Sequence, residues 1–540
     1  RFIGNAADGE GGAIYFERFN VPGMVIDQTL FDNNIGAFGG GAIFIRGGPV
    51  DIGSQTSFVN NRSNRGGAIR LESTNRPMTI NGASFQFNEA FAIGGSGGSG
   101  GAIDIDDPEH VILANLIVDQ NEADARGGGI YLGDPFVGGE DMIEITNIAL
   151  TDNLSGESGG GLYAAFIDSL SITDSLIQNN VVLGFGGGGL YLSNTNSSMR
   201  EVIVDSNSAT NRGGGVVISG GTSVFQDGEV SNNQADGSGG WHNTGGSSTI
   251  RNSTVSDNEA IFGGGLGMIS GELDIVNSRI LNNSATADAG GIANLFGMMS
   301  IRSEFGNESG QCDPFQLAAN RYCSEIAGNS AGERGGGLFL GSDSGSTTTP
   351  RNVLVRSVAL IDNSAATGGS AIYANHRFGE TAHYENLLIK GHGASTSTVI
   401  ELRGNHSARM HASTITNNVG PVLEVVENGT NFELTNSILF NNAVGPNVAF
   451  GVPFTRSCNN SQPRTGQSMG GNLGDPGFVT TARGDYRLDA SSVSADQCED
   501  GPARDLDGLY RLSGSLLDQG AFEHDGLLVP PDLIFRDRFQ

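Results

Sequence analysis

Apolar residues recur along this chain in two short patterns that take turns. In the first, a glycine pair and then alanine or glycine precede an aliphatic residue: Gly40-Gly41-Ala42-Ile43, Gly66-Gly67-Ala68-Ile69, Gly100-Gly101-Ala102-Ile103 and Gly127-Gly128-Gly129-Ile130. In the second, an apolar residue stands three places before an asparagine: Phe31/Asn34, Phe58/Asn61, Phe85/Asn88, Val118/Asn121, Leu150/Asn153, Ile177/Asn180, Val204/Asn207, Val230/Asn233, Val255/Asn258 and Ile280/Asn283. Apolar and other residues alternate between them, as at Leu273-Asp274-Ile275, which marks strands with one face inward.

The period, about 26 residues, is too short for two packed helices and fits one coil of three short strands and three turns. The spacing stretches between Asn283 and Asn329, where an excursion carrying Cys312 and Cys323 is inserted. It stretches again between Asn363 and Asn418, where two coils fit and Ile389/His392 takes the missing place. The expected fold is all-β: a right-handed, single-stranded parallel β-helix of about sixteen coils over residues 1–445, with an insertion at about 302–326. A C-terminal closing or cap region at 446–526 and a tail at 527–540 follow. The glycine pair suits a tight turn where stacked coils leave no room for a Cβ. An asparagine at the same corner of every coil suits a ladder of amides bonded above and below. A second column, Asn115, Asn147, Asn252, Asn277, Asn386 and Asn436, suggests another ladder.

Composition narrows the setting. The 540 residues carry a formal charge of −30 with pI about 4.5, and a single lysine, Lys390, stands against 28 arginines. Nucleic acid and anionic membrane faces are poor partners for such a surface. Salty or calcium-containing surroundings would favour this balance, and so would a genome whose base composition depletes lysine. Two disulfides, Cys312 to Cys323 and Cys458 to Cys498, are expected from an even cysteine count in an extracellular chain. Zinc is not, since no Cys-x-x-Cys or histidine pair accompanies them. No apolar run approaches the roughly 20 residues of a spanning helix. The start at Arg1, inside a repeat, predicts that a signal peptide has been removed.

The paired repeats resemble those of polymorphic outer-membrane proteins and, more broadly, of bacterial secreted right-handed β-helix proteins, over residues 1–445. Beyond them, Asn472-Leu473-Gly474-Asp475-Pro476 and Gly484-Asp485-Tyr486-Arg487-Leu488 look like the closing segment of such helices. Arg504-Asp505, Asp507-Gly508, Arg511 and Asp518-Gln519-Gly520-Ala521-Phe522-Glu523 resemble a choice-of-anchor Q ending, from which Gln519 departs where a small aliphatic residue is usual. The resemblance implies a secreted protein of the bacterial surface or exterior. It is specific for fold and weak for activity.

Candidate chemistry is sparse. Asp104 and Asp106, outward on one strand beside Asp107, and Asp505 with Asp507 are the candidates for calcium, against a solvated strand end and a plain turn. Gly391-His392-Gly393 resembles a polygalacturonase motif, but the acidic and basic partners which that family needs are missing and His392 falls on a ladder position. Asp32, Asp119, Asp152, Asp205, Asp257 and Asp362 beside the ladder read either as a cation-binding stripe or as a solvated corner. Trp241-His242 replaces the aliphatic residue of the glycine pattern, either as a sugar-stacking platform or as a substituted core position. No Ser/His/Asp set, phosphate loop or dinucleotide fingerprint appears.

The expected function is therefore a noncatalytic extracellular solenoid for adhesion or scaffolding, with no cofactor unless calcium. Its expected partners are other copies of itself or extracellular glycans. The alternative is a polysaccharide-binding or polysaccharide-cleaving β-helix. A full-strength repeat at Phe2/Asn5 without a polar cap predicts head-to-tail filaments, with Leu527–Val529 and Leu533–Phe539 docking on a neighbour's first coil, unless a cap precedes Arg1.

Overall fold

The structure is a computed structural model. It describes residues 1–17, 23–74, 78–93, 95–133, 141–306, 312, 322–341, 352–376, 381–393, 396–404, 407–426, 431–444, 447–448, 454–461, 471–472, 475–480, 485–489, 492–495, 497–498, 505–506 and 517–522. The fold is an all-β parallel β-solenoid of about 14 turns, and no helix occurs among the described residues. Two compact units divide the chain, Arg1–Glu272 and Leu273–Gln540. The sequence repeat is found on both sides of that boundary.

One coil of the first unit shows how sequence becomes structure. The strand Leu30–Asp32 buries Phe31, the chain turns at Asn34, and the two-residue strand Ile35–Gly36 leads to the pair Gly40-Gly41. The strands Ile43–Arg46 and Val50–Ile52 then form a third face before the next coil begins at Ser57–Val59. Each strand pairs in parallel with its counterpart one coil on, so like meets like: Phe31 with Phe58, Ile43 with Ile69, Val50 with Met78. In two later coils the third face is continuous, as Val216–Gln226 and Trp241–Arg251, with register shifts between them.

The core is columnar as a result. Phe2, Phe31, Phe58 and Phe85 stack with ring centroids 5.0, 4.9 and 4.7 Å apart and planes within 4° of parallel. Val118, Leu150 and Ile177 continue the column. Burying such a side chain contributes about 1.5–3 kcal/mol, and ring stacking adds roughly 0.5–1.5 kcal/mol per pair.

The two glycines of a pair serve different needs. Gly66 sits at φ +60°, where L side chains are strained, and a Cβ there would run into the carbonyl oxygen of Ile69. At Gly67 a Cβ would instead strike the carbonyl oxygen of Gly101, one coil away. The first glycine makes the turn and the second lets coils approach.

The asparagine ladder is fully bonded. Asn153 donates its backbone N–H and its Nδ2 to Oδ1 of Asn180, at 3.0 and 2.9 Å, and its Nδ2 also to the Val118 carbonyl at 2.9 Å. Its own Oδ1 accepts from the N–H and Nδ2 of Asn121, both at 3.0 Å. The arrangement recurs at Asn34, Asn61, Asn88, Asn121, Asn180, Asn207 and Asn233, and Asn258 closes the series in this unit by accepting from Asn233. In the second unit Asn283 donates to Asn329 and Asn329 to Asn363. The other asparagine column has another cause. Asn115, Asn147, Asn252, Asn277, Asn386 and Asn436 all have φ between 50° and 59°, a conformation asparagine tolerates better than most residues. Asn147 does donate to Asn115, and Asn115 to Asn81, but these links are exposed.

The second unit repeats the plan, with Ile280, Ile326, Leu360, Ile389, Ile415 and Leu439 in one column. Both expected disulfides are formed, Cys312–Cys323 and Cys458–Cys498. The described part of 446–526 does two things. Asn459–Ser461 and Gly471–Asn472 extend the stack, while Tyr486, Leu506 and Phe522 pack along its flank against Ala359, Ile361 and Leu388. The Ala521 N–H donates to Thr414 Oγ1 at 2.9 Å, and Asn417 Nδ2 donates to the Tyr486 hydroxyl at 2.8 Å. Residues 527–540 lie outside the described residues.

Asn153→Ala should lower the unfolding free energy by about 1–3 kcal/mol, because the Asn121 amides and the Val118 carbonyl lose buried partners. Asn115→Gly, at an exposed corner that glycine accepts, should change it by less than about 0.5 kcal/mol. Urea melts of the two variants check this; equal losses would show that the ladder is not what holds the corner.

Candidate functional site

The outward residues of the third face form a column of their own. In successive coils the place after the buried aliphatic residue is taken by Tyr15, Phe44, Arg70, Asp104, Tyr131, Tyr163, Tyr191, Val217 and His242. Beside it, in the turn before the glycine pair, stand Arg65, Arg126 and Arg212. Neither set was singled out in the sequence, although both lie at fixed offsets from the glycine pattern.

Asp104 and Asp106 share the outward face of Ile103–Pro108, as expected, but Asp104 is buried, Asp106 is only partly exposed, and both are ion-paired. Arg65 grips both: Nε donates to Asp104 Oδ2 at 3.0 Å, Nη2 to Asp104 Oδ1 at 3.1 Å and to Asp106 Oδ1 at 2.8 Å. Arg70 reaches Asp106 Oδ2 at 3.4 Å. Asp104 is completely buried, and burial raises its pKa in spite of Arg65. Burial would also lower the Arg65 pKa, but the two carboxylates outweigh it and the guanidinium stays charged. Removing one member of such a buried pair costs about 3–5 kcal/mol, so the cluster is structural. Arg65 also covers the Tyr131 ring, 5.6 Å from its centroid, and burial pushes that phenol up to about 12.

Tyr131, Tyr163 and Tyr191 stack outward, with centroids 5.5 and 5.3 Å apart. Arg126 lies 5.3 Å from the Tyr163 centroid and pairs with Glu157 at 3.1 Å. At the end of this stack an open cleft of about 360 Å³ is bordered by Arg126, Glu157, Tyr163, Phe185, Tyr191 and Arg212, among others.

The Trp241-His242 pair belongs to the core. Trp241 is fully buried and meets Phe225 edge-on at 5.7 Å, so no indole face is open to a sugar. His242 lies 2.8 Å from Ser238 Oγ, and burial holds its pKa down to about 4.

The acidic residues beside the ladder occupy two different positions. Asp32, Asp119 and Asp205 end their strands and accept hydrogen bonds from neighbouring amides and hydroxyls. Burial pushes the Asp205 carboxyl up, but donors on Asn232, Gln178, Ser206 and Ser231 outweigh it and hold its pKa below the ordinary value. Asp152, Asp257 and Asp362 come one residue later, at φ 54°, 57° and 51°. A stripe of free carboxylates is not what the first three form. Of the other calcium candidate, Asp505 is completely buried and Asp507 lies outside the described residues, as do Arg504 and Arg511. Gln519 is buried, its Nε2 3.9 Å from the sulfur of Cys458. Among the described residues no group of three or more His, Cys, Asp or Glu side chains has metal-binding geometry, and no helix is long and apolar enough to cross a membrane.

His392 takes an asparagine's place. Its N–H donates to Asn418 Oδ1 at 2.9 Å, and its ring nitrogens face the carbonyls of Asn363 and Leu360 at 3.2 and 3.0 Å. It is fully buried, and burial lowers its pKa to about 4 although both carbonyls favour the proton.

With that geometry in place, the repeat can be compared with known ones. Residues 1–17 match the Chlamydia polymorphic membrane protein (Chlamydia_PMP) repeat. The chain is a parallel β-helix solenoid carrying this type of repeat. It is 25% identical over 234 residues to a probable outer membrane protein, pmp20, of Chlamydia pneumoniae, and the match covers 40% of this chain and 13% of that protein's length. Among solved structures, the crystal structure of pectate lyase Pel9A aligns at 16% identity with a TM-score of 0.36, over 68% of this chain and 89% of the lyase.

Because the folded pKa of His392 lies below its unfolded value of about 6.5, the unfolded chain binds more protons in the window between about 4 and 6.5. Stability should therefore be lost as the pH is lowered through that window, with a slope approaching about 1.4 kcal/mol per pH unit. His392→Asn restores a ladder amide and should remove this contribution. Denaturant midpoints at pH 4.5 and 7 compare the two proteins; an identical pH dependence would refute the buried neutral imidazole.

Proposed function

We propose that this chain is a noncatalytic solenoid of the cell surface or extracellular matrix that serves adhesion or scaffolding. The observation that carries the reading is how the outward column of the first unit is finished. Its best catalytic candidates are committed to one another: Asp104 and Asp106 to Arg65, and Ser238 to His242, both buried. What remains outward is a wall of stacked rings and ion pairs fixed to parallel backbone. Such a wall suits contact better than turnover, since general acid–base and calcium-assisted cleavage both need carboxylates free to meet a substrate. Similarity to a probable outer membrane protein supports a place at the outer membrane or cell surface.

Displayed on a non-adherent bacterium, the chain should react with antibody on intact cells and retain those cells on a matrix-coated plate. The purified protein should release neither unsaturated nor reducing ends from polygalacturonate, with or without calcium. Turnover that disappears in Asp104→Asn, Asp106→Asn or His392→Ala would overturn the reading.

A further inference from the structure

The arginines before the glycine pairs are not equivalent. Arg65 is held by Asp104 and Asp106, and Arg126 by Glu157. Arg212, in the same place three coils beyond Arg126, is exposed, and its guanidinium makes no ion pair or hydrogen bond among the described residues. In a chain of net charge −30 a solvent-facing arginine whose guanidinium is in no ion pair among the described residues is out of character.

The cleft beside it has a definite cause. Tyr131, Tyr163 and Tyr191 fill the outward column, but the residue in register after Tyr191 is the shorter Val217, and the ring series ends at the cleft that Val217 helps to line. Phe185, 68% exposed, forms another wall. An aromatic ring left that bare beside a stacked tyrosine is the surface on which the apolar face of a sugar ring packs. Arg126 and Glu157 neutralise each other at the far side, so Arg212 supplies the unbalanced charge of the cleft. A planar guanidinium fits a carboxylate through two parallel N–H donors.

We propose that this cleft binds a carboxylated sugar, with the ring against Tyr191 and Phe185 and the carboxylate on Arg212. The inference rests on the adhesive reading above and names its ligand class: an acidic glycan, held without being cleaved.

Calorimetric titration with trigalacturonate and with its carboxyl-reduced counterpart tests the inference on the intact chain. Trigalacturonate should bind and the reduced trisaccharide should not. Arg212→Ala should weaken binding about tenfold or more, since it removes charge-assisted hydrogen bonds. Arg212→Lys should fall between the two. Tyr191→Ala and Phe185→Ala should weaken binding without abolishing the preference for the acid, and Arg200→Ala, on the surface pair with Glu201, should change nothing. Unaltered melting of Arg212→Ala, which removes a side chain outside any ion pair among the described residues and leaves the backbone bonds to Phe185 and Gly187, confirms that its fold is intact. Equal binding of both trisaccharides, no binding of either, or full affinity in Arg212→Ala would overturn the inference. Cell retention without trigalacturonate binding overturns this inference alone, whereas polygalacturonate turnover overturns the noncatalytic reading.

Discussion

In the stacked strands of each unit a residue lies beneath a counterpart about 4.8 Å away, at the spacing of parallel strands. A side chain is therefore selected as much for the tolerance of its own stacked image as for burial. Asparagine meets the constraint at the corner because its amide has as many donors as acceptors: Asn153 takes from Asn121 what it gives to Asn180. Phenylalanine meets it by stacking, as from Phe2 to Phe85. Glycine meets it at Gly67 by having no side chain to stack.

Charge repeats less readily than these, and the outward column of the first unit shows what replaces repetition. Asp104 stands in register with Arg70 on one side and Tyr131 on the other, and Arg65 neutralises it from the neighbouring turn. Where the outward residues can repeat, as in Tyr131, Tyr163 and Tyr191, they do so as rings. A cleft opens where the series breaks at Val217. Individuality in this fold arises at such interruptions, because an unbroken column leaves no concave surface.

The inward half of each coil was legible in the sequence. The glycine pair, the aliphatic residue after it and the corner asparagine each answer a constraint that recurs at a fixed offset, and His392 was recognisable as a ladder substitute by its place alone. The outward half was less legible because its meaning depends on the neighbouring coil. Asp104 and Asp106 alternate like solvent-facing residues, yet Arg65, thirty-nine positions before Asp104, covers them. The acidic residues beside the ladder looked like one stripe. A shift of one residue separates Asp205, a hydrogen-bond acceptor at a strand end, from Asp257, which sits at positive φ. Arg212 and Tyr191 could have been found by carrying the repeat alignment one place outward on each side of the glycine pattern.

The amide ladder closes the corner as completely as a strand closes its edge. Native-state hydrogen exchange at the backbone N–H groups of Asn61, Asn88, Asn121, Asn153 and Asn180 tests it directly, since each donates to the next side chain and to no backbone carbonyl. These amides should exchange as slowly as those of the buried strand residues Ile69 and Ile103, through opening of the whole unit. Exchange at the rates of unprotected amides, while the strands stay protected, would contradict it.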